Sequence, residues 1–177
     1  SPWKNKERPV LINNWEATYF DFTAEKLISI AEKAAQCGIE MLVMDDGWFG
    51  KRNKDNSSLG DWTVNKEKLP GGLENLAGKI NSLGMKFGIW MEPEMISPDS
   101  ELYRAHPDWA LSVAGREHTL SRNQCVLDFT RKEVRDYIFD TIKNILSSAS
   151  IAYMKWDMNR DMSPVGSALL PPERQAE

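Results

Sequence analysis

Apolar, β-rich runs alternate with helical patterns along most of this 177-residue chain. The runs that predict strands are residues 10–14, 39–44, 86–91 and 151–156. The patterns that predict helices, with apolar side chains at three- and four-residue spacing, are residues 24–37, 73–83 and 131–147. Alternation of this kind is typical of βαβ units around a parallel sheet. The sequence therefore predicts an α/β fold.

Two longer segments lack this alternation. Residues 47–72 are rich in Gly, Asn, Asp and Lys, and they predict a long polar loop. Residues 95–124 predict an irregular segment with a short helix near 99–105, followed by a short extended segment at 125–129. No internal repeat is visible beyond the alternation itself.

Polar residues follow or end each predicted strand. They are Trp15-Glu16 after the first strand, Asp45-Asp46 after the second, Glu92 with Glu94 after the third, and Lys155 with Asp157 at the fourth. In parallel α/β folds the carboxyl ends of the strands carry the active site. The four strand ends therefore predict one shared site. A doubly wound nucleotide-binding sheet is disfavoured, because no Gly-rich turn follows the first strand.

Composition excludes several classes of partner. The net charge is −4 and no block of Lys or Arg occurs, which argues against nucleic acid and against a membrane surface. The first residues, SPWKNKERPV, have no apolar core of a signal peptide, so we expect a cytoplasmic protein. Cys37 and Cys125 predict two buried thiols, because their number and spacing fit neither a disulfide framework nor a metal site.

The stretch YMKWDMNR, residues 153–160, carries the most specific chemistry. Lys155 and Asp157 are two residues apart, so on a strand both side chains point to one face. A nearby ammonium favours the ionised carboxylate, and an ionised carboxylate suits a nucleophile. A structural ion pair at a strand end is the alternative, and the spacing alone leaves both readings open.

The other strand ends suit a sugar. Asp45 and Asp46 can accept hydrogen bonds from adjacent hydroxyls, and Trp48 or Trp90 can stack on a sugar ring. Core packing is the alternative for the seven tryptophans of the chain. Glu92 and Glu94 suit hydroxyls, a divalent metal, or the joining of neighbouring strands.

Five segments together resemble the α-galactosidases of glycoside hydrolase family 36. They are NNWEA (13–17), MDDGWF (44–49), GIWMEPEM (88–95), RNQCVLDF (122–129) and KWDMNR (155–160). The resemblance covers nearly the whole chain and keeps the family's order. It implies a (β/α)8 catalytic barrel that hydrolyses terminal α-galactosides such as melibiose and raffinose with retention.

The resemblance also implies roles for single residues. Asp157 corresponds to the nucleophile at the end of the fourth strand. Residues in contact with the galactose are implied at Asp45, Asp46, Trp90, Arg122 and Lys155, with Asn159, Trp15 and Glu92 as further candidates for the pocket wall. No metal and no organic cofactor is implied.

One departure from the family limits these expectations. A retaining glycosidase needs a second carboxyl group as general acid/base, about 5 Å from the nucleophile. In this family that residue is an aspartate on the sixth strand, and no residue here corresponds to it. We therefore expect a partial (β/α)8 TIM barrel, with roughly strands 1 to 4 in residues 1–160 and an irregular tail in 161–177. Open sheet edges in such a half-barrel predict self-association or pairing with the missing half.

Three alternatives to a complete α-galactosidase stay open from the sequence. The first is a catalytically incomplete fragment that only binds galactose. The second is a galactosyltransferase of the raffinose-synthase type. The third is an α-N-acetylgalactosaminidase. Hydrolysis and transfer differ in which acceptor reaches the glycosyl-enzyme, and these residues do not decide between them.

Overall fold

A computed structural model describes residues 4–162 and 166–175 of the chain. Its main sheet has four strands in the order β1-β2-β3-β6. These strands are β1 (Leu11–Asn13), β2 (Met41–Met44), β3 (Lys86–Met91) and β6 (Ile151–Trp156). β2 runs parallel to both β1 and β3, with Met41 opposite Leu11 on one side and Lys86 on the other. The predicted α/β fold with a parallel sheet is thereby confirmed.

Five α-helices lie in the described residues. They are α1 (Trp15–Thr18), α2 (Ala24–Gln36), α3 (Gly72–Ser82), α4 (Glu101–Ala105) and α5 (Lys132–Ser147). Local signals determine α2: Thr23 accepts a hydrogen bond from the backbone N–H of Lys26, and Gly38 takes a φ of +79° just past the helix end. Within the part of the chain that the structure describes, no helix has the length and apolar character needed to span a membrane.

A second, two-stranded sheet pairs the beginning of the segment predicted as irregular with the segment predicted as extended at 125–129. Its strands, β4 (Met95–Ile96) and β5 (Cys125–Val126), are antiparallel and fully buried. The prediction of an irregular segment over 95–124 is wrong at its beginning, although the short helix within it is confirmed as α4. β5 confirms the predicted extended segment over its first two residues. β4 has only two residues, too few to show an alternating pattern, so only its pairing with β5 reveals it.

The chain forms two compact units. The first contains the residues up to Trp48, Val64–Met91 and Leu146–Lys155. In this unit β2 is completely buried, and α2 and α3 contribute apolar side chains to the interior. The buried side chains of these two helices are Leu27, Ala31, Ala34, Leu73, Leu76, Ala77 and Ile80.

The second unit contains Phe49–Thr63, Glu92–Ile145 and the residues from Trp156 onward. Its interior includes a hydrophobic cluster around the small sheet, α4 and α5. The buried members of this cluster are Ile96, Leu102, Trp109, Ala110, Cys125, Leu127, Val134 and Ile138. Each unit therefore has an interior of its own.

The described part of the predicted tail belongs to the second unit. Ser167 is buried, and its Oγ donates a hydrogen bond to Asp128 Oδ2 at 2.6 Å. The carbonyl of Gly166 accepts a hydrogen bond from Ser112 N at 2.8 Å. A short 3-10 helix follows at Pro172–Arg174. The boundary between 1–160 and 161–177 stays a prediction.

The two cysteines differ in their environments. Cys125 is buried in β5, and burial raises the pKa of its thiol. Cys37 is exposed at the end of α2, so the prediction of two buried thiols is wrong for Cys37. The apolar face of α2 ends before this residue, and its position at the helix terminus leaves it in contact with solvent.

Candidate active site

The carboxylate of Asp45 accepts three hydrogen bonds immediately after β2. Oδ2 accepts from Lys155 Nζ at 2.9 Å and from Asn13 Nδ2 at 2.5 Å, and Oδ1 accepts from the backbone N–H of Asp46 at 2.9 Å. Asp45 is 3% exposed. A buried carboxylate of this kind is stable only with such partners. We call Asn13, Asn14, Asp45 and Lys155 the Asp45 cluster.

Two asparagines of the Asp45 cluster are not identified as site residues by the sequence. Asn13 ends β1, and its Oδ1 accepts from the backbone N–H of Trp15 while its Nδ2 binds Asp45. The side chain of Asn14 accepts from the backbone N–H of Asp45 at 2.8 Å. Both thus hold the residue that follows β2 from the carboxyl end of the neighbouring strand β1. Their signal in the sequence is a pair of amides directly after an apolar run.

Lys68 is a further residue that the sequence does not identify. Its Nζ donates to the carbonyl oxygens of Phe20 at 2.8 Å and Gly47 at 3.0 Å. Partial burial lowers the pKa of its ammonium group, and the negative charges of Asp46 and Asp21 oppose that change. Lys68 therefore supports the backbone that directly follows Asp46, a residue that is itself 5% exposed.

Both candidate stacking tryptophans are buried in the first unit. Trp48 is fully buried, and its Nε1 donates to the carbonyl of Trp90 at 2.9 Å. Trp90, near the end of β3, is 1% exposed. Stacking on a sugar requires an accessible indole face, and the burial of Trp90 does not support this role. A galactose contact by Trp90 stays a prediction.

The carboxylate of Asp157 is held by the two residues that follow it. Oδ1 accepts from the backbone N–H of Met158 at 3.1 Å, and Oδ2 accepts from Asn159 Nδ2 at 2.8 Å. β6 ends at Trp156, so Asp157 is the first residue beyond the strand. Its side chain is partly exposed. The arrangement leaves an oriented carboxylate with contact to solvent.

A buried glutamate lies beside Asp157 in the second unit. Glu92 Oε1 accepts from the backbone N–H of Asn159 at 2.5 Å and from Gln124 Nε2 at 3.1 Å. Burial raises the pKa of the Glu92 carboxyl, and the charge of Asp157 adds to this, whereas the hydrogen bonds from Asn159 and Gln124 oppose it. We call Glu92, Gln124, Asp157 and Asn159 the Asp157 cluster.

Arg160 has a scaffolding position next to the Asp157 cluster. Its Nη1 donates to the carbonyl oxygens of Gln124 at 2.5 Å and Thr119 at 2.9 Å, and its Nε donates to the carbonyl of Asp161. These bonds secure the backbone beyond Asp157. The expectation that neighbouring cations keep Asp157 ionised stays a prediction.

Glu94 binds an indole in this structure. Trp156 Nε1 donates to both carboxylate oxygens of Glu94, at 2.7 and 2.8 Å. Of the alternatives for the two glutamates, this contact favours the joining of neighbouring segments for Glu94. Among residues 4–162 and 166–175, no group of three or more His, Cys, Asp or Glu residues is arranged to hold a metal ion.

Arg122 occupies the first of the two central positions of a tight turn from Ser121 to Gln124. It and Asn123 have positive φ angles of 54° and 57°, and Gln124 N donates to Ser121 O at 3.2 Å. Two successive left-handed residues are typical of a type I′ turn. Arginine is rare in this conformation, which costs about 1–3 kcal/mol at a non-glycine residue. Arg122 is an exposed residue, and its role in binding stays a prediction.

The two clusters have complementary chemical capacities. The Asp45 cluster offers carboxylate and amide oxygens with one ammonium group, which suits the hydroxyls of a sugar. The Asp157 cluster offers one oriented, partly exposed carboxylate, which suits attack on an electrophilic carbon. Among the residues identified from sequence, the structure joins Asp45 with Lys155 and Asp157 with Asn159.

Comparison with known proteins identifies close relatives. The Melibiase family model matches residues 1–177. The alpha-galactosidase AgaA of Geobacillus stearothermophilus is 61% identical over 175 residues, which are 99% of this chain and 24% of AgaA. The crystal structure of the family 36 alpha-galactosidase AgaB from the same organism is 62% identical with a TM-score of 0.95, over 98% of this chain and 24% of that chain.

A third relative has been solved with a bound sugar. It is a variant of AgaA in complex with raffinose, 60% identical with a TM-score of 0.95, over 98% of this chain and 24% of that one. This chain therefore spans 24% of the length of each of these relatives. The resemblance to family 36 is confirmed. Because the family model matches all 177 residues, this chain belongs to the Melibiase family.

Proposed function

We propose that the protein that contains this chain hydrolyses terminal α-galactosides of the melibiose and raffinose type, with retention of configuration. The observation that carries the proposal is the 61% identity to an alpha-galactosidase over 99% of this chain. The raffinose bound by the AgaA variant supports the substrate class. Because the chain spans 24% of these relatives, activity is proposed for the complete protein.

The proposed nucleophile is Asp157. A carboxylate oxygen attacks the anomeric carbon, the glycosidic bond breaks with its electron pair going to the leaving oxygen, and a galactosyl-Asp157 ester forms. Water then releases galactose and restores the carboxylate. The hydrogen bonds from Met158 N and Asn159 Nδ2 support this role, because they orient both carboxylate oxygens before attack.

Six further residues are proposed to bind the galactose: Asp45, Asp46, Trp90, Arg122, Lys155 and Asn159. For Asp45 the support is geometric, since its carboxylate is held in one orientation by three donors. A carboxylate has room for about four hydrogen bonds, so one further bond from a sugar hydroxyl is available at this group.

The proposed architecture is roughly the first four strands of a (β/α)8 barrel in residues 1–160, with a tail at 161–177. Four strands in a sheet with intervening helices support this proposal. A complete barrel takes about 250 residues. We propose that the general acid/base lies outside this chain, so the chain alone does not complete turnover. No cofactor is part of the proposal, and the cytoplasmic location stays a prediction.

Three other outcomes remain distinct from hydrolysis of α-galactosides. A chain that binds galactose without turnover is favoured by its coverage of 24% of the relatives. A related galactosyltransferase or α-N-acetylgalactosaminidase differs in its acceptor or in the group at the sugar's C2. Product analysis of the complete protein with raffinose and with an N-acetylgalactosaminide separates these activities.

The nucleophile is tested by intact mass of the chain after incubation with α-galactosyl fluoride. Fluoride leaves with little acid assistance, and without a general base the ester hydrolyses slowly, so an adduct accumulates. We expect a gain of one galactosyl group, absent in Asp157→Asn. A galactosyl gain that persists in Asp157→Asn would assign the nucleophile to another residue.

Exposed apolar side chains support self-association or pairing with another barrel segment. Val10 and Leu11 at β1 are 56% and 44% exposed, and Tyr153 and Trp156 in β6 are 40% and 52% exposed. Open strands with apolar side chains are typical pairing sites. Size-exclusion chromatography of the chain is expected to show a species larger than a monomer. A clean monomer that unfolds cooperatively would contradict this proposal.

A further inference from the structure

Glu92 is a buried carboxyl group with no chemical step in the proposed mechanism. It lies in the interior of the second unit and is 1% exposed. Its Oε1 is occupied by two donors, the backbone N–H of Asn159 and the side-chain amide of Gln124. Gln124 is itself 1% exposed. A buried carboxyl is costly to maintain, so its contacts indicate what it holds in place.

Asn159 connects Glu92 to Asp157. Its backbone N–H is bound by Glu92 Oε1 at 2.5 Å, and its side-chain Nδ2 donates to Asp157 Oδ2 at 2.8 Å. The position of the Asn159 backbone therefore determines where its amide can meet the carboxylate. The other carboxylate oxygen of Asp157, Oδ1, accepts a hydrogen bond from the backbone N–H of Met158.

The backbone around this connection has no sheet or helix to position it. β6 ends at Trp156, and residues 157–160 lie outside the helices and strands of the structure. Two side chains secure this segment: Glu92 at Asn159, and Arg160 through the carbonyl oxygens of Gln124 and Thr119. The orientation of Asp157 thus depends on tertiary hydrogen bonds.

We propose that Glu92 is a positioning residue for Asp157 and acts through Asn159. The inference rests on the proposed function, because it takes Asp157 as the nucleophile. A nucleophile displaced by about 1 Å loses about 10²-fold in rate. Glu92 and Asn159 exchange no proton during attack, since the new bond joins an Asp157 oxygen to the anomeric carbon and the leaving group takes the electron pair.

Glutamine and leucine at position 92 separate the charge of the carboxyl group from its capacity to accept a hydrogen bond. Glu92→Gln keeps a carbonyl oxygen in the place of Oε1 and stays neutral, so Asn159 keeps its acceptor. Glu92→Leu has a similar volume and offers no acceptor. In the complete protein with α-galactosyl fluoride, we expect Glu92→Leu to lower kcat by about 10²-fold with little change in KM. Glu92→Gln retains most of the rate.

A double-mutant cycle with Asp157 separates positioning from general structural support. Formate supplied to Asp157→Ala provides a carboxylate that Asn159 does not hold. We expect Glu92→Leu to leave the formate-dependent rate of Asp157→Ala unchanged, because the group that Glu92 positions is absent. An equal fold loss in both backgrounds overturns the inference. Near-normal turnover of Asp157→Ala without formate instead refutes the nucleophile itself.

Asn159→Ala tests the same connection from the side of Asn159, whose side chain also contributes a hydrogen bond to Glu92. It removes the Nδ2 donor and keeps the backbone N–H that Glu92 binds. We expect a loss in kcat of the same order as in Glu92→Leu, and no additional loss when the two changes are combined, because the residues act in series. A rise in KM with unchanged kcat would show that Asn159 contributes to galactose binding alone and does not orient Asp157, and it would overturn the inference.

Discussion

Lys155 Nζ lies 2.9 Å from Asp45 Oδ2, so an ion pair joins the end of β6 to the end of β2. The side chain of Asp45 is 4% exposed and that of Lys155 is 36% exposed. The carboxylate is therefore nearly enclosed, while the ammonium still contacts water. Loss of the ammonium leaves a buried charge with fewer partners, which costs more than loss of a surface pair.

Lys155→Met is expected to lower the free energy of unfolding by about 1–2 kcal/mol, because Asp45 keeps two of its three donors. Denaturant titration of the complete protein measures this change. Lys132→Met is the matched control, since the Lys132–Asp136 pair is exposed on α5. That control is expected to change stability by less than about 0.5 kcal/mol. Equal losses in the two variants would show that Asp45 does not depend on Lys155.

Asp157→Asn is expected to reduce turnover by about 10³-fold or more and to leave galactose binding intact. The amide has nearly the same shape and keeps one oxygen, but it lacks the charge that attacks the anomeric carbon. Steady-state kinetics with raffinose and calorimetric titration with galactose measure the two quantities separately. Near-normal turnover would remove Asp157 from the mechanism.

Glu92→Gln is expected to change the pH dependence of stability. Burial raises the pKa of Glu92 above its ordinary value of 4.5, so the folded protein binds this proton more tightly than the unfolded chain. The stabilising contribution of the protonated group is complete below pH 4.5 and is lost as pH rises through the folded pKa. The glutamine variant, which is always neutral, does not lose it.

The advantage of the Glu92→Gln variant in unfolding free energy should therefore grow with pH above 4.5 and become constant above the folded pKa. Chemical unfolding of both proteins from about pH 4 to about pH 8 checks this. A difference that stays flat over the whole range would show that Glu92 titrates alike in both states.

Lys68→Met is expected to lower stability by about 1–3 kcal/mol and to raise KM. The change removes the donor to the carbonyl oxygens of Phe20 and Gly47, and Gly47 directly follows Asp46. Lys66→Met is the control, because Lys66 is an exposed lysine two residues away. A loss of stability with unchanged KM would show that Lys68 stabilises the fold and has no influence on substrate binding through Asp46.

Arg122→Gly and Arg122→Ala should differ in stability and agree in binding. Both remove the guanidinium, but only glycine adopts the φ of +54° without steric cost. We expect the glycine variant to be more stable than the alanine variant by about 1 kcal/mol, with KM raised equally in both. Unfolding curves and steady-state kinetics check the pair. An unchanged KM in both variants would exclude Arg122 from substrate binding.

Local patterns in the sequence determined the main elements of the fold. The predicted strands at 86–91 and 151–156 coincide with β3 and β6, and α2 begins at residue 24 as predicted. These elements were predictable because apolar spacing, caps and glycines act within a few residues of one another. The position of Asp45 and Asp157 after apolar runs depends on the same local information.

Tertiary structure alone decided the partners of those residues. The pairing of β4 with β5, the two asparagines that hold Asp45, and the contacts of Lys68 all join residues distant in the chain. Nothing in a local pattern encodes such contacts, because they depend on which elements the fold brings together.

The Asp157 cluster shows most clearly which features local sequence determines and which depend on tertiary structure. Sequence determined that a carboxylate follows an apolar strand in the family motif KWDMNR. Only the fold decided that Glu92, 67 positions away from Asn159, binds the Asn159 backbone whose side chain orients Asp157. The physical reason is that a buried carboxyl must find donors wherever the folded chain provides them.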